Sequence, residues 1–171
     1  GGFFRICAAD DHRMQLRILL LQLLHHDRGT EMLTLLDRYR IAPGTLVLEI
    51  TESRHLDDPQ TVVSLLRPLR EAGVRIALDD FGTGYANYER LRRLQADIIK
   101  IDGCFVKDIC TDDMDAMIVQ SMCNLAKTKS LCVVAEYVET PAQREMLLRF
   151  GVDYLQGYLI GKPKPLEELR A

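Results

Sequence analysis

The sequence predicts an α/β fold with a parallel sheet, a (β/α)8 TIM-like barrel that is incomplete, with about five of the eight strand–helix units. Three observations lead there. From residue 46 onward, short β-rich runs alternate with amphipathic helical stretches, the rhythm of parallel strands joined by helical crossovers. On five strands an apolar residue is followed two places later by a charged or amide group, so both lie on one face: Val47 and Glu49, Ala77 and Asp79, Ile98 and Lys100, Val134 and Glu136, Tyr154 and Gln156. In a barrel this gives an apolar interior layer and, above it, a polar layer toward the C-terminal mouth, where barrel enzymes keep their chemistry. The competing architecture, an open doubly wound sheet, lacks its phosphate-binding turn, because Gly82-Thr83-Gly84 has no third glycine at the GxGxxG spacing.

The elements follow in order. FFRICAA (3–9) reads as one strand, and residues 14–24 as a Leu-rich helix, apolar on too many sides for a clean surface helix. Residues 31–40 form an amphipathic helix with Leu33, Leu36 and Tyr39 inward. LVLEITE (46–52) is a strand. Asp57-Asp58-Pro59 opens a helix with Val62, Val63, Leu65, Leu66 and Leu69 on its buried stripe, and Gly73 stops it. VRIALDD (74–80) is the next strand, and a short helix at 88–94 leads to DIIKID (97–102). Asp112, Asp113 and Asp115 open a longer helix to about Lys127, with Met117, Ile118, Met122, Leu125 and Ala126 as core candidates. LCVVAEYV (131–138) is a strand. Thr140-Pro141-Ala142-Gln143 starts a helix with Thr as N-cap and Gln three residues on, and Gly151 ends it. DYLQGYLI (153–160) is the last strand, and KPKP (162–165) closes the unit as a solvated tail.

Bulk properties bound the function. A chain of 171 residues suffices for one domain with a hydrophobic core. A net charge of −3 offers no basic face for long nucleic acid. No stretch is long and apolar enough to span a bilayer. Five cysteines without CxxC spacing read as reduced thiols of a cytosolic protein, and the scattered histidines His12, His25, His26 and His55 as surface residues. The start Gly1-Gly2, without Met, reads as that of a fragment. Asp80-Phe81-Gly82 matches a kinase tripeptide, but no HRD loop or Gly-rich phosphate loop accompanies it.

Four acids (Glu49, Asp79, Asp80, Glu136), one lysine (Lys100) and one amide (Gln156) gather at one end of the sheet. Each alone has an ordinary reading: a surface acid, a turn or helix cap, a solvated lysine. Together they form an all-oxygen ligand set suited to Mg²⁺ or Mn²⁺. Four carboxylates are enough for two metals, which activate water and stabilise a phosphoryl group in an in-line displacement.

LVLEITES, ALDDFGTGY, IIKID, VVAEYVET and DYLQGYL, in this order, resemble the EAL domain family of bacterial phosphodiesterases, which open cyclic di-GMP to linear pGpG. The resemblance covers about residues 30–167. It implies metal-ligand roles for Glu49, Asp79, Asp80 and Glu136, with Glu136 also catalytic, and a catalytic, water-orienting role for Lys100. It also implies that Glu139 anchors the loop 80–85 and that Gln156 lines the substrate pocket. It divides the chain into an atypical N-terminal segment (1–28) and a partial phosphodiesterase domain (29–171). Homodimerisation and a cytoplasmic location in a bacterium, as the cytoplasmic part of a larger sensor protein, follow as expectations.

The chain departs from the family pattern in four places. The Glu-Ala-Leu motif, whose Glu binds metal, and the Asn-Leu-Ser strand, which supplies an asparagine ligand, are both absent. HRMQLRILLLQLL (12–24) stands where the latter should lie, and Tyr137 replaces a glycine, pointing by parity toward the helices. About 80 residues of a typical barrel are missing by this reckoning. The expected activity is therefore metal-dependent hydrolysis of cyclic di-GMP, weak or absent in this chain for want of two ligands. The alternatives are a degenerate module that binds cyclic di-GMP or a protein without turnover, and a different barrel enzyme acting on phosphorylated substrates. The last lacks a Gly-rich phosphate loop near 153–163.

Overall fold

The structure is a computed structural model that describes residues 3–6, 14–17, 28–50, 59–83 and 87–162. Seven strands form one sheet in sequence order: β1 (Phe3–Ile6), β2 (Met14–Arg17), β3 (Leu46–Ile50), β4 (Arg75–Phe81), β5 (Ile98–Ile101), β6 (Cys132–Ala135) and β7 (Tyr154–Leu155). β1 runs antiparallel to β2, and every later neighbour pair is parallel. The helices are α1 (Arg28–Arg38), α2 (Pro59–Glu71), α3 (Asn87–Leu94), α4 (Gly103–Lys107), α5 (Asp113–Thr128) and α6 (Pro141–Phe150).

Two apolar layers confirm the strand parity. On the outer face Leu46, Leu48, Ile50, Ile76, Leu78, Ile99, Ile101 and Val133 pack against helix residues such as Leu66, Leu69, Val119, Met122 and Leu147. On the inner face Val47, Ala77, Ile98 and Val134 form a separate cluster, with Tyr154 packed against it. Both faces are buried, as expected where helices cover one side and a barrel interior the other.

Side chains fix the strand starts. Asp97 Oδ2 accepts from Ile76 N–H at 2.8 Å, and Asp153 Oδ2 accepts from Val133 N–H at 2.7 Å. Each aspartate precedes one strand and holds the next strand over. At α6 the expected capping box is present: Thr140 Oγ1 accepts from Gln143 N–H, and Gln143 Oε1 accepts from Thr140 N–H at 2.9 Å. Gly151 closes that helix at φ 88°, a left-handed conformation glycine adopts without cost.

Several expectations are corrected. Residues 14–17 are a strand, not the start of a Leu-rich helix; pairing in register with β3 (Met14 opposite Leu46, Arg17 opposite Glu49) outweighs local helix preference. The remainder of that stretch, 18–24, lies outside the described residues, as do Asp57, Asp58, Tyr85 and the tail from 163. Tyr39 lies beyond the end of α1 and is exposed. Met117 is also exposed; the buried stripe of α5 is Val119, Met122, Cys123 and Ala126. The last strand spans only Tyr154–Leu155, and α4 was not foreseen.

Candidate active site

The polar residues that follow the inner apolar layer meet at one end of the sheet. Lys100, one residue before the end of β5, is almost wholly buried at 1% exposure. Its ammonium lies 3.0 Å from Glu49 Oε1 (β3), 2.8 Å from Asp79 Oδ1 (β4) and 2.8 Å from Glu136 Oε1, just past β6. The parallel register explains the convergence: each residue comes two places after an inner-layer residue, on the same strand or, for Glu136, just past its end.

Asp80 joins them through an irregularity in β4. The β4–β5 register shifts between Leu78 and Phe81, and Asp80 has φ 54°. Leu78 and Phe81 both pack in the outer core, so the two residues between them share the opposite side. A bulge of this kind inserts one residue and re-aims its neighbours. It lets two adjacent acids serve one site, which regular alternation forbids. After it, Gly82 (φ 110°) packs so closely that a Cβ there would meet Met122 Cε at 2.2 Å and Phe105 Cε2 at 2.8 Å.

The electrostatics leave the acids in excess. One ammonium pairs with three carboxylates, and Asp80 adds a fourth beside Asp79 and Glu136. Burial pulls the Lys100 pKa down, but attraction by Glu49, Glu136 and Asp79 outweighs it, and the net shift is upward. Burial raises the Glu49 pKa, and the Lys100 ion pair only partly offsets this. Glu49 is buried, and the partner its Oε1 meets is the Lys100 ammonium at 3.0 Å.

The donor set fits a divalent cation. Oxygens of Asp79, Asp80 and Glu136 lie within 4.8 Å of one another. Carboxylates alone are hard ligands, of the type that binds Mg²⁺ or Mn²⁺. The excess negative charge of this trio is relieved by such an ion.

Beside the acids opens a cavity of about 550 Å³ that includes Asp102, Lys107, Glu136, Glu139, Gln156 and Tyr158 in its lining. Its walls are tied by backbone bonds: Val138 N–H donates to Gln156 O at 3.0 Å, Gln156 N–H to Ala135 O at 2.8 Å and Leu159 N–H to Val138 O at 3.0 Å. At Gly157 a Cβ would fall 2.2 Å from Val138 O, so only glycine permits this approach. The whole constellation of expected site residues is thus in one region. Glu49, Asp79, Asp80, Lys100 and Glu136 form the charged cluster, while Glu139 and Gln156 line the adjoining cavity.

Residues 4–163 match the EAL domain. The chain belongs to the EAL domain family. The EAL chain is 52% identical over 162 residues to the "Probable cyclic di-GMP phosphodiesterase PdeA" of Escherichia coli, covering 95% of this chain and 22% of PdeA. Among solved structures it resembles the PaMucR phosphodiesterase in complex with c-di-GMP (TM-score 0.82, 39% identity, 92% of this chain and 64% of that one). It also resembles Klebsiella pneumoniae BlrP1 in a manganese and cyclic di-GMP complex (TM-score 0.82, 32% identity, 90% and 40%). The chain therefore spans about a fifth of PdeA's length. These neighbours share the TIM-type architecture, and the seven-stranded sheet of this EAL chain is part of such a barrel.

Some contributors were missed in the sequence. In the sequence Gln143 reads only as a helix cap. It is buried, and its Nε2 also donates to Val106 O at 3.2 Å and Lys107 O at 3.0 Å, tying α4 to α6 beside the cavity. A buried amide with both ends bonded has no sequence signature, because one set of partners lies 36 or 37 residues away. Asp102 is a second such residue. It caps α4 by accepting from Cys104 N–H at 2.7 Å and lines the cavity. Its place at the end of IIKID, after Lys100, was the available signal. Tyr137 does not follow strand parity, because β6 ends at Ala135 and Tyr137 has φ 62°. Its ring lies against Gly103 at the start of α4 and remains half exposed.

Proposed function

We propose that this EAL chain forms the metal- and substrate-binding part of a cyclic di-GMP phosphodiesterase, which hydrolyses one phosphodiester bond to give linear pGpG. The observation that supports this most is the convergence of Asp79, Asp80 and Glu136 oxygens within 4.8 Å beside buried Lys100. The phosphodiesterase name of PdeA and the c-di-GMP complexes of PaMucR and BlrP1 point the same way. Mg²⁺ or Mn²⁺ is the cation of this reading, held by Glu49, Asp79, Asp80 and Glu136. Bound there, it would activate water and neutralise charge on the phosphoryl oxygens.

The protein's own groups supply the rest. Lys100, gripped by three carboxylates, cannot swing away, and its ammonium stays charged. It orients the attacking water and favours negative charge developing on the phosphate. Glu136 bridges the charged cluster and the cavity, Gln156 contacts the dinucleotide from the cavity wall, and Glu139 anchors the loop after β4. Homodimerisation and a cytoplasmic bacterial setting belong to the same reading. Among the described residues no helix is long and apolar enough to cross a membrane.

Two ligands of the family pattern, the Glu of Glu-Ala-Leu and the Asn of Asn-Leu-Ser, are not in this sequence. We therefore expect residues 1–171 to bind cyclic di-GMP with metal but to turn it over slowly. The test is chromatographic detection of pGpG from cyclic di-GMP with Mn²⁺, for this chain and for Glu136→Gln. The expected result is a trace of pGpG well below ordinary enzyme turnover of about 1–10³ s⁻¹, abolished by the substitution. Binding with no cleavage at all would favour the non-catalytic module, and metal-independent cleavage would contradict the site.

A further inference from the structure

We propose that Tyr137 is a stacking platform for a guanine base of the dinucleotide, a specificity-determining residue beside the phosphate site. This rests on the cyclic di-GMP reading and deepens it.

Tyr137 occupies the left-handed region at φ 62°, which costs a residue with a Cβ roughly 1–2 kcal/mol and glycine almost nothing. The resembled motif has glycine there. Core burial does not compensate for the strain, since the residue is 48% exposed. Residues held in such strained conformations concentrate at ligand sites.

The geometry around the ring suits a base. Its base is fixed against α4, where a Cβ on Gly103 would come 2.7 Å from Tyr137 Cβ and 3.2 Å from its Cγ. Tyr137 also lines the 550 Å³ cavity, which has room for a purine and its ribose, and the second exposed aromatic there is Tyr158. Glu136, the preceding residue, belongs to both the cavity and the carboxylate cluster. A base on Tyr137 is therefore within a nucleotide's reach of the phosphate site.

The polar lining favours guanine over adenine. Asp102 and Glu139 offer carboxylate acceptors, and Lys107 a cationic donor. Guanine presents N1–H and N2–H₂ donors on one edge and O6 and N7 acceptors on another, whereas adenine has an acceptor at N1.

The test is calorimetric titration of cyclic di-GMP, with Mn²⁺ present, into the whole chain and its Tyr137→Phe and Tyr137→Gly variants. Loss of one base stack corresponds to roughly 5- to 150-fold weaker binding. Tyr137→Gly should bind at least about five-fold more weakly while melting no lower than the parent, since glycine relieves the strained φ. Tyr137→Phe should bind as the parent does. Unchanged affinity in Tyr137→Gly overturns the platform and leaves the phosphodiesterase reading standing. Failure of the parent to bind cyclic di-GMP with Mn²⁺ overturns both.

Discussion

At the residue scale, Lys100 decides how the site survives without a cation. Three carboxylates lie within 3.0 Å of its ammonium. Lys100→Met leaves them buried and repelling, an effect worth about 3–5 kcal/mol. Urea unfolding at pH 8 should show that loss, and it should shrink as pH falls and Glu49, whose pKa is raised, takes up its proton. The parent has its own pH signature. The Glu49 pKa is raised, so the folded state holds its proton better than the unfolded chain does. Stability is retained below the ordinary value of 4.5 and falls as pH rises through the higher folded value. Lys100, also raised, contributes stability that is complete below 10.5 and lost as pH rises through its folded pKa. Mn²⁺ held at the proposed site would compete with the Glu49 proton, so it should raise the melting temperature more at pH 8 than at pH 5. A shift independent of pH would contradict this.

The thiols give a second check at this scale. Burial, then Asp153, pushes Cys123 up to about 11. Partial burial, then the Asp102 side chain, pushes Cys104 up to about 12. Since the thiolate is the reactive form, both should alkylate slowly at pH 8. Asp102→Asn should speed Cys104 alone, as read by mass spectrometry of labelled peptides.

At the element scale, the β4 bulge and the α4–α6 tie shape the site. Asp80, proposed as a metal ligand, holds a left-handed backbone that glycine would adopt freely. Asp80→Gly should leave stability equal or better while weakening Mn²⁺ affinity at least about ten-fold, of the order of one lost charge-assisted contact. Gln143→Ala removes an amide with partners at both ends and should cost roughly 2–3 kcal/mol, with cavity binding weakened alongside. A loss below about 0.5 kcal/mol would show that the tie is dispensable.

Elements with strong local signals were legible in the sequence. Thr140-Pro141-Ala142-Gln143 announces α6 because capping is a property of neighbouring residues. LVLEI, ALDDF and IIKI announce buried strands by composition and alternation. The bulge was not legible, because nothing in ALDDF shows that β5 pairs with Leu78 and Phe81 but skips Asp79 and Asp80. β2 failed for the opposite reason: MQLR sits in a Leu-rich stretch, and only pairing with β3 makes it a strand. Asp97 and Asp153 brace their neighbouring strands over separations of 21 and 20 residues, beyond any local pattern.

At the scale of the whole molecule, an inner apolar layer of Val47, Ala77, Ile98 and Val134 supports a charged layer two residues further along each strand. Strand parity makes both layers readable in the sequence, so the convergence of Glu49, Asp79, Lys100 and Glu136 is legible without any contact information. What parity could not supply was the cavity beside them, built from loops and from residues such as Asp102 and Tyr137 that follow no alternation. The central claim is that the carboxylate layer holds a divalent cation and, with it, cyclic di-GMP. Titration of cyclic di-GMP into the chain with and without Mn²⁺, repeated on Asp79→Asn, tests it most directly. Saturable binding that requires Mn²⁺ and is lost in Asp79→Asn is the predicted result; binding of equal strength without the metal, or none with it, would contradict the account.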